Sequence, residues 1–348
     1  MHIDKSVWKD FLIFVEQERG DIHPVAYELI GQARKLAAKV DFKVHCVLIG
    51  GAGTKENAKK LFAYGIDTAY VYEDEVFEDF RCDNYANAFA DIILRIQPSS
   101  VLVGATALGR SLAPRVATRF KTGLTADCTK LDIQDNTDMI QIRPAFGGNI
   151  MAQIAITETR PQFATVRCRV MDRAQKVDKP WGVIKECQVI EDMAQSDIEV
   201  LSSTLLEKGK NIEDEDILVV AGRGIGNDKG VGLAKKLADV LGGQVAFTRP
   251  MVEQGFGDTT HQIGLSGRTV RPKLLITCGV SGAIQFTSCM NQSECIIAID
   301  TNPDAQIFQV AHYCIQADAY QMLPKLIQSL EERGVEDQCH LVKNGQTV

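Results

Sequence analysis

The chain has no CxxC pair, and none of its six histidines (His2, His23, His45, His261, His312 and His340) pairs at metal-ligand spacing. The cysteine pattern also argues against an iron–sulfur cluster held by this chain. Basic residues form no sustained run, and the formal net charge is −7. That leaves no electrostatic footprint for nucleic acid and none for an anionic membrane surface. Long apolar runs are missing as well. Phe11-Leu12-Ile13-Phe14-Val15 is far too short for a signal-peptide core or a membrane span. Met1 to Asp10 carry no signal peptide, and no arginine-rich transit segment is present. The expected location is cytoplasmic, for a prokaryotic protein or a mature processed form. No Ser-His-Asp or Cys-His set is identifiable from spacing. Internal repeats and low-complexity segments are absent.

What is present is ordinary for a globular protein. The 348 residues suffice for two domains with separate cores, at 45% hydrophobic and 24% charged. Ten cysteines occur: Cys46, Cys82, Cys128, Cys168, Cys187, Cys278, Cys289, Cys295, Cys314 and Cys339. An even count is compatible with disulfides, but a core of this size needs no staples. Reduced thiols buried as small hydrophobes are the expected state.

The first half alternates strand and helix. Phe11 to Val15, Val44 to Ile49, Thr68 to Tyr72 and Val101 to Gly104 read as strands. Between them, Pro24 opens a helix with Val25, Leu29, Ala33, Leu36 and Val40 on one face. Ala58 to Tyr64 reads as a second helix. Ala86, Phe89, Ile93 and Ile96 mark a third, capped near Asp83. Such alternation predicts an α/β fold of βαβ units with a parallel sheet. From Thr125 to Arg169 the pattern turns β-rich, which suggests an antiparallel addition. A new alternating unit begins at Ile217-Leu218-Val219-Val220-Ala221, and its helix carries Leu233, Leu237, Ala238 and Leu241. The boundary is placed at Leu205 to Lys210. This divides the chain into an N-terminal domain (1–205), a second domain (206–330) and a polar tail (331–348).

Candidate chemistry concentrates in the second domain. The run Leu274-Leu275-Ile276-Thr277-Cys278 reads as a buried strand, followed by Gly279-Val280-Ser281-Gly282-Ala283-Ile284-Gln285. Ser281 falls where a helix is expected to start. A helix N-terminus offers free N–H groups and partial positive charge, which suit a phosphate. Gly282 would let the backbone approach it closely. An ordinary turn capped by Ser281 would look the same. Gly222-Arg223-Gly224-Ile225-Gly226 lies between a strand and a helix but lacks the third-glycine spacing of a dinucleotide fingerprint. Thr248 and Arg249 end a strand-like run from Gln244 to Phe247.

Taken together, these segments resemble the FAD-binding domain of the electron transfer flavoprotein alpha subunit. Gln262-Ile263-Gly264-Leu265-Ser266-Gly267-Arg268, Pro303 to Ala311, Asp318 and Pro324 carry the resemblance further. In the N-terminal half it rests on Thr122 to Cys128, Arg143 to Asn149 and Arg160 to Arg167. It spans roughly Val7 to Leu330. The resemblance implies two α/β domains, each with a mainly parallel sheet flanked by helices, and FAD in the second. It implies a heterodimer with a beta subunit and a C-terminal domain that swings on its linker. Electrons would be shuttled from a donor, NADH, to an acyl-CoA dehydrogenase-type flavoenzyme. Val15 to Ile22 looks like the anaerobe branch, which often bifurcates electrons.

By the same resemblance, Arg223 would lie near the polar end of FAD, and Thr248 and Arg249 against the flavin ring. Ser266 would meet the N5 region, aided by Gln262, Ile263, Gly264 and Gly267. Ser281, Gly282 and Ala283 would hold the pyrophosphate, with Gln285 in the same segment and Asp318 at the adenosine half. Two positions depart from the family pattern. Phe286 replaces a histidine that contacts the ring's pyrimidine oxygen, and Asp300 replaces an asparagine. A self-contained nicotinamide-dependent oxidoreductase and a nucleotide-binding regulatory module remain as rival readings. The first would need a catalytic acid or base in the cleft, and none stands out.

Overall fold

A computed structural model describes residues 5–18, 20–145, 150–203 and 211–333. The boundary at Leu205 to Lys210, residues 146–149 of the Arg143 to Asn149 motif, Arg19 and residues 334–348 of the tail lie outside them. The described residues form two compact units, 5–203 and 211–333.

The first unit is built on a seven-stranded parallel sheet. Its order is Val183–Glu186, Thr68–Glu73, Val44–Gly50, Phe11–Phe14, Ser100–Gly104, Gln162–Val166, Leu124–Cys128. The central strands Val44–Gly50, Phe11–Phe14 and Ser100–Gly104 are buried at every position because both faces are covered. Phe11 and Ile13 pack with the Val25–Val40 helix, whereas Leu12 and Phe14 pack with the Cys82–Ile96 helix. Pro24 stands at the N-cap of the first of these helices.

Three expectations need correction. The second helix starts earlier than Ala58, at Thr54, and ends at Leu61, with a 3-10 turn over Phe62–Tyr64. The third begins at Cys82 with Arg81 as its N-cap, so Asp83 sits inside the first turn. The Asp83 carboxylate instead accepts bonds from the Ser196 hydroxyl (2.7 Å) and the Asp197 N–H (2.9 Å). The β-rich stretch is also split. Leu124–Cys128 and Gln162–Val166 join the parallel sheet. Lys130–Ile133, Met139–Ala145 and Ile150–Ala155 form a separate antiparallel sheet.

Glu28 is 2% exposed on the inner face of the first helix, and its carboxyl oxygen accepts the Arg169 N–H at 2.7 Å. Burial pushes this carboxyl up to about 7, against the opposing pull of backbone donors and of Arg173 and Arg169. A carboxyl raised in the folded state contributes stability that is complete below its unfolded value and is lost as pH rises through the folded one. Wild-type stability should therefore fall between about pH 4.5 and pH 7 through this group, by on the order of 3 kcal/mol. Glu28→Gln should flatten that part of the profile in denaturant melts. Identical pH slopes for the two proteins would contradict the assignment.

The second unit is a six-stranded parallel sheet. Its order is Gln262–Ile263, Gln244–Thr248, Ile217–Ala221, Leu274–Cys278, Cys295–Asp300, Tyr313–Gln316. One face packs on the Asp228–Leu241 and Ala319–Arg333 helices, burying Leu237, Ala238, Leu323 and Ile327. The final helix runs from Ala319 to Arg333. The first strand of the unit, Ile217–Ala221, lies inside the sheet. The next two strands lie on one side of it and the last three on the other. The switch in direction falls between Ile217–Ala221 and Leu274–Cys278, where helical connections diverge and leave a crevice.

Candidate functional site

A cavity of about 760 Å³ occupies that crevice. Five strand ends supply its wall. Arg223 and Gly224 follow Ala221, Arg249 and Pro250 follow Thr248, and Gly264 to Ser266 follow Ile263. Gly279 to Ala283 follow Cys278, and Asp300 closes its strand with Asn302 just beyond. Five adjacent parallel strands place the outer two about 19 Å apart. The opening therefore suits an extended ligand better than a single nucleotide.

The two central turns touch directly. Gly222 N–H donates to the Cys278 carbonyl and Gly224 N–H to the Gly279 carbonyl, both at 2.9 Å. A Cβ on Gly222 would lie 2.3 Å from the Gly279 oxygen, so this approach needs glycine. Gly282 is constrained more severely. Its φ is +87°, and a Cβ there would lie 2.1 Å from the Ile307 nitrogen. Ile307 N–H donates to the Ser281 carbonyl at 3.1 Å, which pins this turn against the 306–309 segment.

The helix after this turn begins at Ile284, with Ala283 as its N-cap. Ser281 therefore does not cap a helix, contrary to expectation. The left-handed turn at Gly282 separates it from the helix. The consequence for binding is favourable nonetheless. The N–H groups of Ser281, Gly282 and Ala283 donate to no acceptor among the described residues. Unpaired donors lining an open cavity need an acceptor from outside the chain. Arg223, exposed in the 3-10 turn Arg223–Ile225, likewise has no side-chain partner among the described residues. Two arginines and one carboxylate, Asp300, line the cavity, so the charge balance favours an anion.

The floor is apolar. Ile263 (1% exposed), Val280 (4%) and Phe286 (5%) border the cavity and belong to the core cluster beneath it. Phe286 thus belongs to the core cluster and also borders the cavity. Thr248 is 9% exposed at the rim. Arg249 is two-thirds exposed, with its Nε 2.7 Å from Glu253 one helical turn on. The Gln285 carbonyl accepts the Leu265 N–H at 3.0 Å and ties two of the lining loops together.

Three nominated residues do not line the cavity. Gln262 is 5% exposed and its amide donates to the Ser266 hydroxyl at 2.9 Å. Gly267 closes the same turn, its N–H on the Gly264 carbonyl at 2.9 Å. Asp318 precedes the last helix and accepts the Tyr320 N–H at 2.9 Å, an N-capping arrangement. Conversely, Pro250 and Asn302 line the cavity without having been singled out, and Ala305 lines it from the Pro303 to Ala311 segment that carried the resemblance. The signal for Pro250 and Asn302 was position, within two residues of a strand that ends at the crevice.

Cationic groups and free N–H donors at the centre, with an apolar floor to one side, fit a dinucleotide bearing a flat ring system. Comparison with known proteins agrees. Residues 11–191 match the model of the electron transfer flavoprotein domain, and residues 211–291 match that of the electron transfer flavoprotein FAD-binding domain. The chain is 46% identical to the lactate dehydrogenase (NAD(+),ferredoxin) subunit LctC of Acetobacterium woodii, over 94% of this chain and 78% of that one. It is 44% identical to an electron transfer flavoprotein subunit alpha of Thermoanaerobacterium thermosaccharolyticum, over 93% and 98%. For the corresponding subunit of Megasphaera elsdenii the figures are 39%, 95% and 99%.

Proposed function

Because the chain belongs to the electron transfer flavoprotein alpha-subunit family, with FAD as its cofactor, we propose that it works as one half of a heterodimeric electron carrier. Its partner would be a beta subunit. The pair would take electrons from NADH and deliver them to an acyl-CoA dehydrogenase-type flavoenzyme. When bound, FAD supplies the redox chemistry, and the chain need only bind and tune it. The cavity at the switch point is the observation that carries this reading.

The residues divide the work by position. Free N–H groups at Ser281 to Ala283 and the Arg223 guanidinium receive the pyrophosphate. Ile263 and Phe286 seat the ring on an apolar surface. Arg249 is a permanent cation at the same end, and favours negative charge arriving on the ring. Asp300 and Asn302 stand at the far end, which leaves them to the adenosine half.

Electron bifurcation, within a cytoplasmic complex, is the finer form of the proposal. The name of the Acetobacterium relative couples NAD and ferredoxin, which supports it. The same name favours a second reading, in which the partner is a lactate dehydrogenase. Among the described residues no helix is long and apolar enough to cross a membrane. Counting flavins in the copurified heterodimer tests the proposal. Two per dimer with NADH oxidation strictly dependent on a low-potential acceptor supports bifurcation, and one per dimer reduces it to simple transfer. A heterodimer that binds no FAD at all would overturn the cavity assignment.

A further inference from the structure

We infer that Gln262 is a positioning residue: it never touches the cofactor, but fixes the Ser266 hydroxyl as a hydrogen-bond donor into the cavity. The inference rests on the reading of that cavity as the FAD site.

Gln262 is buried behind the turn, outside the cavity wall, while Ser266 lies on it. The Gln262 amide nitrogen donates to Ser266 Oγ at 2.9 Å. A serine hydroxyl has one proton and two acceptor lone pairs. With an amide N–H already on the oxygen, its own proton cannot point back along that bond. It is left to donate elsewhere, and the side of Ser266 that faces the ligand space is open.

The backbone holds this pair in register. Arg268 N–H donates to the Gln262 carbonyl at 2.7 Å, and Gly264 N–H to the Arg268 carbonyl at 3.2 Å. A Cβ on Gly267 would lie 2.3 Å from the Gln262 oxygen, so the turn closes this tightly only with glycine there. The Leu265 N–H on Gln285 anchors its outer edge. The side chain of Gln262 thus bonds the hydroxyl, while its backbone closes the turn that carries Ser266. Ser266 shares its end of the cavity with the apolar floor at Ile263 and Phe286, where a ring would sit. A donor aimed at a ring acceptor stabilises the form with more electron density there, which raises the potential of electron uptake.

A double-mutant cycle on the FAD-loaded heterodimer tests this. Ser266→Ala and Gln262→Met should each lower the equilibrium constant of the first one-electron step about tenfold, a shift of about 59 mV. The double variant should shift no further than either single one, since one substitution removes the donor and the other only frees its orientation. Potentials are compared on samples reconstituted to equal FAD content. Ser266→Thr, which keeps the hydroxyl, should restore the potential when Gln262 is present and not when it is methionine. Gln262→Leu serves the same cycle if the methionine variant does not fold. Additive shifts, or an unchanged potential in the Gln262 variant, would overturn the relay while leaving the cavity assignment intact. A wild-type heterodimer without FAD would instead overturn the cavity assignment itself.

Discussion

Gly282→Val yields a folded chain that no longer retains FAD. The native backbone at Gly282 has φ +87°, and an added Cβ would meet the Ile307 nitrogen at 2.1 Å. Strain of this kind costs on the order of 1–3 kcal/mol by itself, before any clash. Relief requires parting Ser281 from Ile307, which displaces the turn that carries the three free N–H groups. A loss of at least about 100-fold in FAD affinity, roughly 2.7 kcal/mol, is expected at this site. Gly255→Ala is the control. Gly255 has φ +83°, but nothing lies within 4 Å of an added Cβ, and it does not line the cavity. That variant should be slightly less stable and keep its flavin. Absorbance at FAD saturation and the apo-protein melting curve separate the two effects. Full flavin retention by Gly282→Val would show that this turn does not hold the cofactor.

Asp138→Ala produces the largest loss of stability expected in the N-terminal unit. Arg160 is wholly buried, with its Nη2 2.6 Å from Asp138 Oδ1. Lys5 reaches the same carboxylate at 2.9 Å, and the Asn136 amide donates to its other oxygen at 2.9 Å. Burial alone would raise the Asp138 carboxyl, but Arg160 and Lys5 overcome that and hold it below the usual carboxylate range. A lowered carboxyl contributes stability above its unfolded value that disappears as pH falls through the folded one. Removing the carboxylate strands a guanidinium where water cannot reach it. Breaking one side of such a pair costs about 3–5 kcal/mol, whereas replacing both partners with apolar groups is often close to neutral. Urea melts should therefore rank Asp138→Ala well below the Asp138→Leu/Arg160→Met double variant. Equal destabilisation in both would mean the pair contributes through packing, not charge.

The fold was legible where covered strands leave apolar runs, as at Phe11 to Phe14 and Ile217 to Ala221. The Ala107–Arg119 helix gave no such signal. Pro114 sits inside it, and its clearest mark was the Thr106 hydroxyl that accepts the Gly109 N–H at 3.0 Å. At the site, sequence could nominate turns but not their facing. Gln262 ends up in a short strand and Ser266 in the turn after it, four residues apart, yet one is buried and the other lines the cavity. Asp318 has the chemistry of a ligand and the geometry of a cap. Ser281 was expected to begin a helix, but the glycine after it takes the left-handed turn that its missing Cβ permits, at φ +87°, and the helix starts two residues later. Asn302 came into view only once strand order brought the Cys295–Asp300 end beside Gly279.

The five strand ends around the crevice belong to segments that the chain keeps far apart. A ligand lying across them ties those segments together as a reversible cross-link does, except that its strength depends on concentration. Binding only the folded form adds about 2.7 kcal/mol at 100 times the dissociation constant. Resistance of the C-terminal unit to proteolysis thus becomes a gauge of free flavin. A cell short of FAD would lose this subunit to turnover before it lost the flavin chemistry by mere vacancy, and carrier abundance would follow cofactor supply.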